Sequence, residues 1–134
     1  MDTFIQVNIV IPNVPGSIAK VTDKLRAANV NIIALSCTEG KPSSVFHIVV
    51  DDTETAKLVL QPEYKISTSE VLSFRMKNKP GAIASIGRVC AGAGLNIRNI
   101  YATTLGKEAA VFATFNEENL PKAKEMFKKW TPPV

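Results

Sequence analysis

The chain has 134 residues, 46% of them apolar, and its 16 Lys+Arg against 12 Asp+Glu give a formal charge of +4. That length holds one ordinary domain or two very small ones, and the apolar share is enough for a core, which excludes disorder, collagen and low-complexity sequence. Apolar runs such as Ile48–Val50 fall far short of the roughly twenty residues a bilayer needs, and Met1-Asp2-Thr3 begins no secretory signal, so a cytoplasmic protein without a membrane segment is expected.

In chain order, Val7, Ile9 and Ile11 alternate with Gln6, Asn8 and Val10, a period of two that predicts a strand with one face buried and one wet. Pro15-Gly16 then opens a helix carrying Ile18, Val21, Leu25 and Ala28 at helical spacing, and Asn29, which tolerates a left-handed cap, ends it. Strands are expected over 31–37 and 45–50, separated by the turn Glu39-Gly40-Lys41-Pro42-Ser43. Asp51-Asp52-Thr53 places acids and a capping side chain at the start of a second helix, and Glu63–Ser67 supplies a fourth strand.

The same order then begins again. Leu72, Phe74 and Met76 alternate with Ser73 and Arg75, and Pro80-Gly81 opens a helix with Ile83, Ile86, Cys90 and Ala93 on one face and Gly94 at its end. Strands over 96–103 and 109–115 flank Leu105-Gly106-Lys107, and Asn116-Glu117-Glu118 precedes a last helix. After Trp130 come Thr131-Pro132-Pro133-Val134, whose prolines donate no ladder hydrogen bonds, so any strand there is short and at an edge. No flexible linker separates Ile66 from Val71, so the copies cannot move independently over any distance, and exchange of terminal strands between them is geometrically feasible.

The repetition is exact enough to count. At an offset of 65, positions 13–32 match 78–97 at eight of twenty residues without a gap: Asn13, Pro15, Gly16, Ile18, Ala19, Ala28, Asn31 and Ile32. A period this long predicts two small domains, 1–67 and 68–134, and not a solenoid. Charge divides with the halves, net −1 over residues 1–65 and +5 over 66–134. Lys122, Lys124, Lys128 and Lys129 are read as a solvated helix face. Cys37 and Cys90, far apart and without a nearby His, read as small core residues and not as a zinc site, redox pair or disulfide.

The order strand, helix, strand, strand, helix, strand, with Asn-x-Pro-Gly at the first strand–helix junction and Asn-Ile at the start of the second strand, resembles the ACT domain in both copies. The resemblance implies an α+β, ferredoxin-like βαββαβ unit in tandem, each with an antiparallel sheet and its helices on one face. It also implies a regulatory module that binds an amino acid or similar small metabolite at the interface between paired domains, with no cofactor and no chemistry of its own. Asn13, Asn31, Asn78 and Asn96 match the family's ligand-contacting asparagines; Pro15, Gly16, Ile32, Pro80, Gly81 and Ile97 complete the matching motifs, and Arg98 stands beside the second.

The residue chemistry agrees with such a site. Glycine lets a ligand approach backbone N–H groups at a helix start, where the dipole suits a carboxylate. Asparagine offers both the acceptor and the donor that an amino acid demands. The alternative is that Asn13 and Asn78 cap the helix or turn and Pro-Gly fixes the bend. Where some amino-acid-binding members carry a polar residue two positions before the first Asn, this chain has Ile11 and Met76. Lys79 and Arg98 have the apolar counterparts Val14 and Ile33, so the two sites differ in charge.

Other readings compete with a sensor. His47, the single histidine, lies within Val45-Phe46-His47-Ile48 and is read as a mid-strand structural residue, not a catalytic base. Gly92-Ala93-Gly94 ends a helix where a dinucleotide fingerprint would begin one, and no spacing of Asp, Glu, His and Cys suits a metal, so no enzyme is expected. RNA binding would use exposed sheet aromatics, but Phe46, Phe74, Phe112 and Phe115 sit in apolar runs that read as buried. A ligand-free assembly module is the other alternative. The incomplete second copy leaves a sheet edge open, so at least a homodimer is expected.

Overall fold

The computed structural model describes residues 1–133. Ten elements follow in order: β1 Asp2–Pro12, α1 Ser17–Ala27, β2 Ile32–Thr38, β3 Ser43–Val50, α2 Thr53–Leu60, β4 Ile66–Lys77, α3 Ala82–Gly92, β5 Ile97–Leu105, β6 Glu108–Phe115 and α4 Leu120–Lys129. Ile66 to Val71, where the sequence shows no linker, lies within one unbroken strand, β4.

The chain forms two compact units, one of Ile5–Ser69 and one of Met1–Phe4 together with the segment from Glu70 onward. Both are βαββαβ in content. In the first unit the strands run β2-β3-β1 followed by the start of β4; in the second they run β5-β6-β4 followed by the start of β1. The printed pairings of β1 with β3, β2 with β3, β4 with β6 and β5 with β6 are all antiparallel, in keeping with ferredoxin-like units. Residues 131–133 form no strand in the second unit. Their prolines cannot donate to a ladder, and Asp2–Phe4 joins that unit instead.

Each core follows the two periodicities. Val7, Ile9, Ile11, Phe46 and Ile48 meet Val21, Leu25, Ala56 and Leu60 in the first unit. Leu72, Phe74, Met76, Val111 and Phe115 meet Ile86, Cys90, Ala123 and Phe127 in the second. Each large side chain so buried contributes about 1.5–3 kcal/mol of transfer free energy. Phe127 is the centre of the second core, its ring 4.6 Å from Phe74 and at right angles to Trp130 at 5.4 Å.

Several expectations change on folding. Ile18 and Ile83, at helical spacing with the core positions, are nearly half exposed. Cys37 is exposed on the edge strand β2, while Cys90 is buried as expected. The sheet face opposite the helices is not uniformly wet, since Gln6, Val49 and Phe112 are buried. Val49 is shielded by Gln6 and Ala34, its partners in register on either side, and Phe112 by Tyr101 stacked on it at 5.3 Å.

Helix boundaries are set by the expected devices, with one exception. Asn29 and Gly94 take positive φ of 58° and 70° just past α1 and α3. Asp52 caps α2, its Oδ1 accepting from Thr55 N–H at 3.1 Å. At α4 the side chain of the cap residue, Asn119, makes no capping bond, and Glu117 and Glu118 lie before the helix. No helix among the described residues is long and apolar enough to cross a membrane.

Candidate functional site

The loop between β1 and α1 turns on Gly16, whose φ of 89° is a left-handed conformation that glycine adopts without strain. Gly81 repeats it with φ 87° before α3. Neither helix start receives a side-chain cap or an acidic residue in its first turn. Asn13 and Asn78 therefore do not cap these helices. Asn13 N–H donates to Pro42 O at 3.2 Å, and Asn78 donates from its backbone to Lys107 O at 2.8 Å and from Nδ2 to Gly106 O at 3.1 Å. Both asparagines brace their loop against the hairpin that joins the next two strands.

In the first unit this loop borders a hollow of about 710 Å³, within the range of roughly 300–1,000 Å³ common for small-molecule sites. Pro15, Gly16 and Ser17 form its helix-start wall, and Lys20, Glu63 and Tyr64 approach from α1 and from the segment after α2. Glu63 is held by Lys24 at 2.8 Å and Lys20 at 3.6 Å. The hydrogen bond from Lys24 keeps its carboxyl below the usual range, with Lys20 adding to it. The hollow thus combines an uncapped helix N-terminus, lysine ammonium groups and apolar walls.

Asn31 and Ile32 do not share that hollow. They border another, of about 410 Å³, with Thr22, Arg26, Asn29 and Asp51. Eleven residues of α1, roughly 16 Å, separate the two ends. Asn31 N–H donates to Asp51 Oδ1 at 2.9 Å and Asp51 N–H returns to Asn31 O at 3.0 Å, leaving the Asn31 side chain exposed. A bulge follows between Ile32 and Ala34, and the second unit repeats it between Ile97 and Asn99. Such bulges re-aim neighbouring side chains, and here both follow the matched asparagines. Asn96 and Arg98 are exposed, as are Asn78 and Pro80, while Ile97 packs against the core.

A family model describing an ACT domain pair matches residues 2–129. The chain belongs to this family. No curated protein sequence matches it. Among solved structures, a Bacteroides thetaiotaomicron protein superposes with a TM-score of 0.87 at 24% identity, covering 95% of this chain and 88% of that one. The ligand-free regulatory subunit of aspartate kinase from Thermus thermophilus gives 0.68 at 17%, covering 96% and 97%. Its Thermus flavus counterpart gives 0.61 at 18%, covering 96% and 92%. These likenesses are of fold.

The two ACT units carry different chemistry at matched positions. Around the second loop stand Lys77, Lys79 and Lys107, where the first has Pro12, Val14 and Pro42. On the sheet face opposite the helices, the first unit sets Asn8 opposite His47, with Asn8 Oδ1 2.7 Å from His47 Nδ1 and accepting from Gln6 Nε2 at 2.7 Å. Asn8 Nδ2 donates onward to Ser69 Oγ at 3.0 Å. The second unit has Phe112 at the position of His47, and burial pushes the stacked Tyr101 hydroxyl up to about 12. His47 is thus a bonded mid-strand residue, and no group of three or more His, Cys, Asp or Glu among the described residues could hold a metal ion.

Lys20 stands one helical turn from Gly16 and is legible in the sequence, whereas no local pattern records Glu63 and Tyr64 as neighbours of Gly16. Glu63 lies 47 residues beyond Gly16 and reaches it only because α2 returns the chain to the start of α1.

Proposed function

We propose that this ACT pair is a regulatory small-molecule sensor acting in the cytoplasm, with an amino acid as its ligand. The observation that carries the reading is the uncapped start of α1 opening onto the hollow of about 710 Å³ at the Asn-x-Pro-Gly loop. Backbone N–H groups and Lys20 would hold a carboxylate there. Because Asn31 lies at the far end of α1, the asparagine completing the site is that of an apposed unit, supplied by a second copy of the chain. The open edge strands support such pairing: β2 exposes Ile33 and Leu35, and β5 exposes Ile100.

A ligand gripped by two units stabilises the paired arrangement by its differential affinity for it, and a catalytic or regulatory partner would read that arrangement. The fold shared with regulatory subunits of aspartate kinase supports regulation in place of catalysis. The test is a thermal-shift screen against the twenty amino acids, followed by calorimetry on Asn13→Ala and Asn31→Ala. A hit whose binding weakens by about 1–3 kcal/mol in Asn31→Ala supports the site. Twenty flat responses would favour the ligand-free assembly module.

A further inference from the structure

We propose that the hollow beside α1 takes an amino acid whose side chain is apolar, a reading that rests on the sensor function proposed above and narrows it to a ligand class. Two parts of the wall differ in chemistry. At one, Lys20 Nζ and Glu63 Oε2 stand 3.6 Å apart, a cation and an anion that match the carboxylate and ammonium common to every amino acid. Neither group distinguishes one amino acid from another.

The discriminating part is formed by Pro12, Val14 and Pro42. Val14 is 59% exposed, and both prolines are exposed as well, so this apolar wall faces water and not the core. Its shape is fixed in advance. Val14 N–H donates to Pro12 O at 3.0 Å, Asn13 N–H donates to Pro42 O at 3.2 Å, and the proline rings have almost no side-chain entropy to lose. A preformed apolar wall strengthens binding by about fourfold for each methylene it takes out of water. A charged side chain gains nothing there and would have to shed its hydration.

The second unit carries contrary chemistry on the same turn. Gly81 repeats the conformation of Gly16, yet Lys77, Lys79 and Lys107 stand at the positions of the three wall residues. Ser85 and Val89 stand at the positions of Lys20 and Lys24, the two partners of Glu63. Ammonium groups around that loop hold water where the first unit offers apolar surface. The preference for an apolar side chain therefore belongs to the first unit.

Calorimetry on the full chain with alanine, leucine, phenylalanine, aspartate and lysine tests this, on wild type and on Val14→Lys. Val14 lies outside both cores, so the variant should fold. In wild type, leucine and phenylalanine should bind about tenfold or more tightly than alanine, and aspartate and lysine more weakly than leucine. The leucine-to-alanine ratio should fall about tenfold in Val14→Lys, and by a smaller factor in Val14→Ser, which adds no charge. Suppose instead that aspartate, lysine or alanine bound as tightly as leucine, and that Asn31→Ala still weakened the binding. The apolar class would then be overturned while the sensor reading stood. A leucine-to-alanine ratio unchanged in both Val14 variants would overturn the class as well. No heat from any of the five would overturn the sensor reading and the class together.

Discussion

Gly16 and Gly81 are required by their backbone conformation and not by crowding. A Cβ at either position would meet nothing within 4 Å, so space does not forbid a side chain, but the positive φ does. Gly16→Val is therefore expected to cost at least about 1–2 kcal/mol of stability through the backbone alone, measurable by denaturant unfolding, and it is a poor probe of binding. Asn31→Ala, at an exposed side chain outside the core, is the cleaner one. Phe127→Ala should cost about 3–5 kcal/mol, because the ring fills the second core and the surrounding aromatic rings cannot close the cavity. At the exposed carboxylates the sign is set by depressed values. Asp52 is held low by its bonds to Thr55, and Glu63 by Lys24. A lowered carboxyl stabilises the fold above its unfolded value and loses that contribution as pH falls through the folded one. Melting temperatures of Glu63→Gln and wild type should thus differ at neutral pH and converge in acid.

Among the elements, β1 carries the most roles. Its helix-facing residues build the first core, its opposite face carries Gln6 and Asn8, and its end leads into the Asn13–Gly16 loop. Asn8 joins β3 to the start of β4 by bonding toward His47 and Ser69. Asn8→Ala should destabilise the first unit by about 1–3 kcal/mol by removing a partner of the buried Gln6 amide, as seen in equilibrium unfolding. The paired bulges at the starts of β2 and β5 belong to this scale too. They are irregularities that both copies keep, at the place where each matched asparagine leaves the loop.

For the whole molecule, the expected assembly is at least a dimer. Leu35→Lys, on the exposed edge strand β2, should shift sedimentation toward the monomer while leaving the melting temperature of the isolated chain nearly unchanged. Cys37 on the same strand provides an independent readout. Alkylation should be fast in dilute protein and slow as the dimer forms, and Cys90, whose thiol burial pushes up, should remain unmodified in both. Fast labelling of Cys37 at every concentration would place the interface elsewhere.

The sequence by itself determined what depends on near neighbours along the chain. Alternation at Val7, Ile9 and Ile11, the helical spacing of Val21 and Leu25, the Asn29 and Gly94 caps and the 65-residue repeat all act over a few residues or by direct comparison, so they are legible without a fold. Tertiary structure decided which segments meet. It gave Met1–Phe4 to the second unit, brought Glu63 to the start of α1, set Asn31 at the other end of that helix from Gly16, and left Ile18 and Cys37 exposed. The physical reason is that strand pairing and hollow formation join residues tens of positions apart, and no local period records which edge will find which partner.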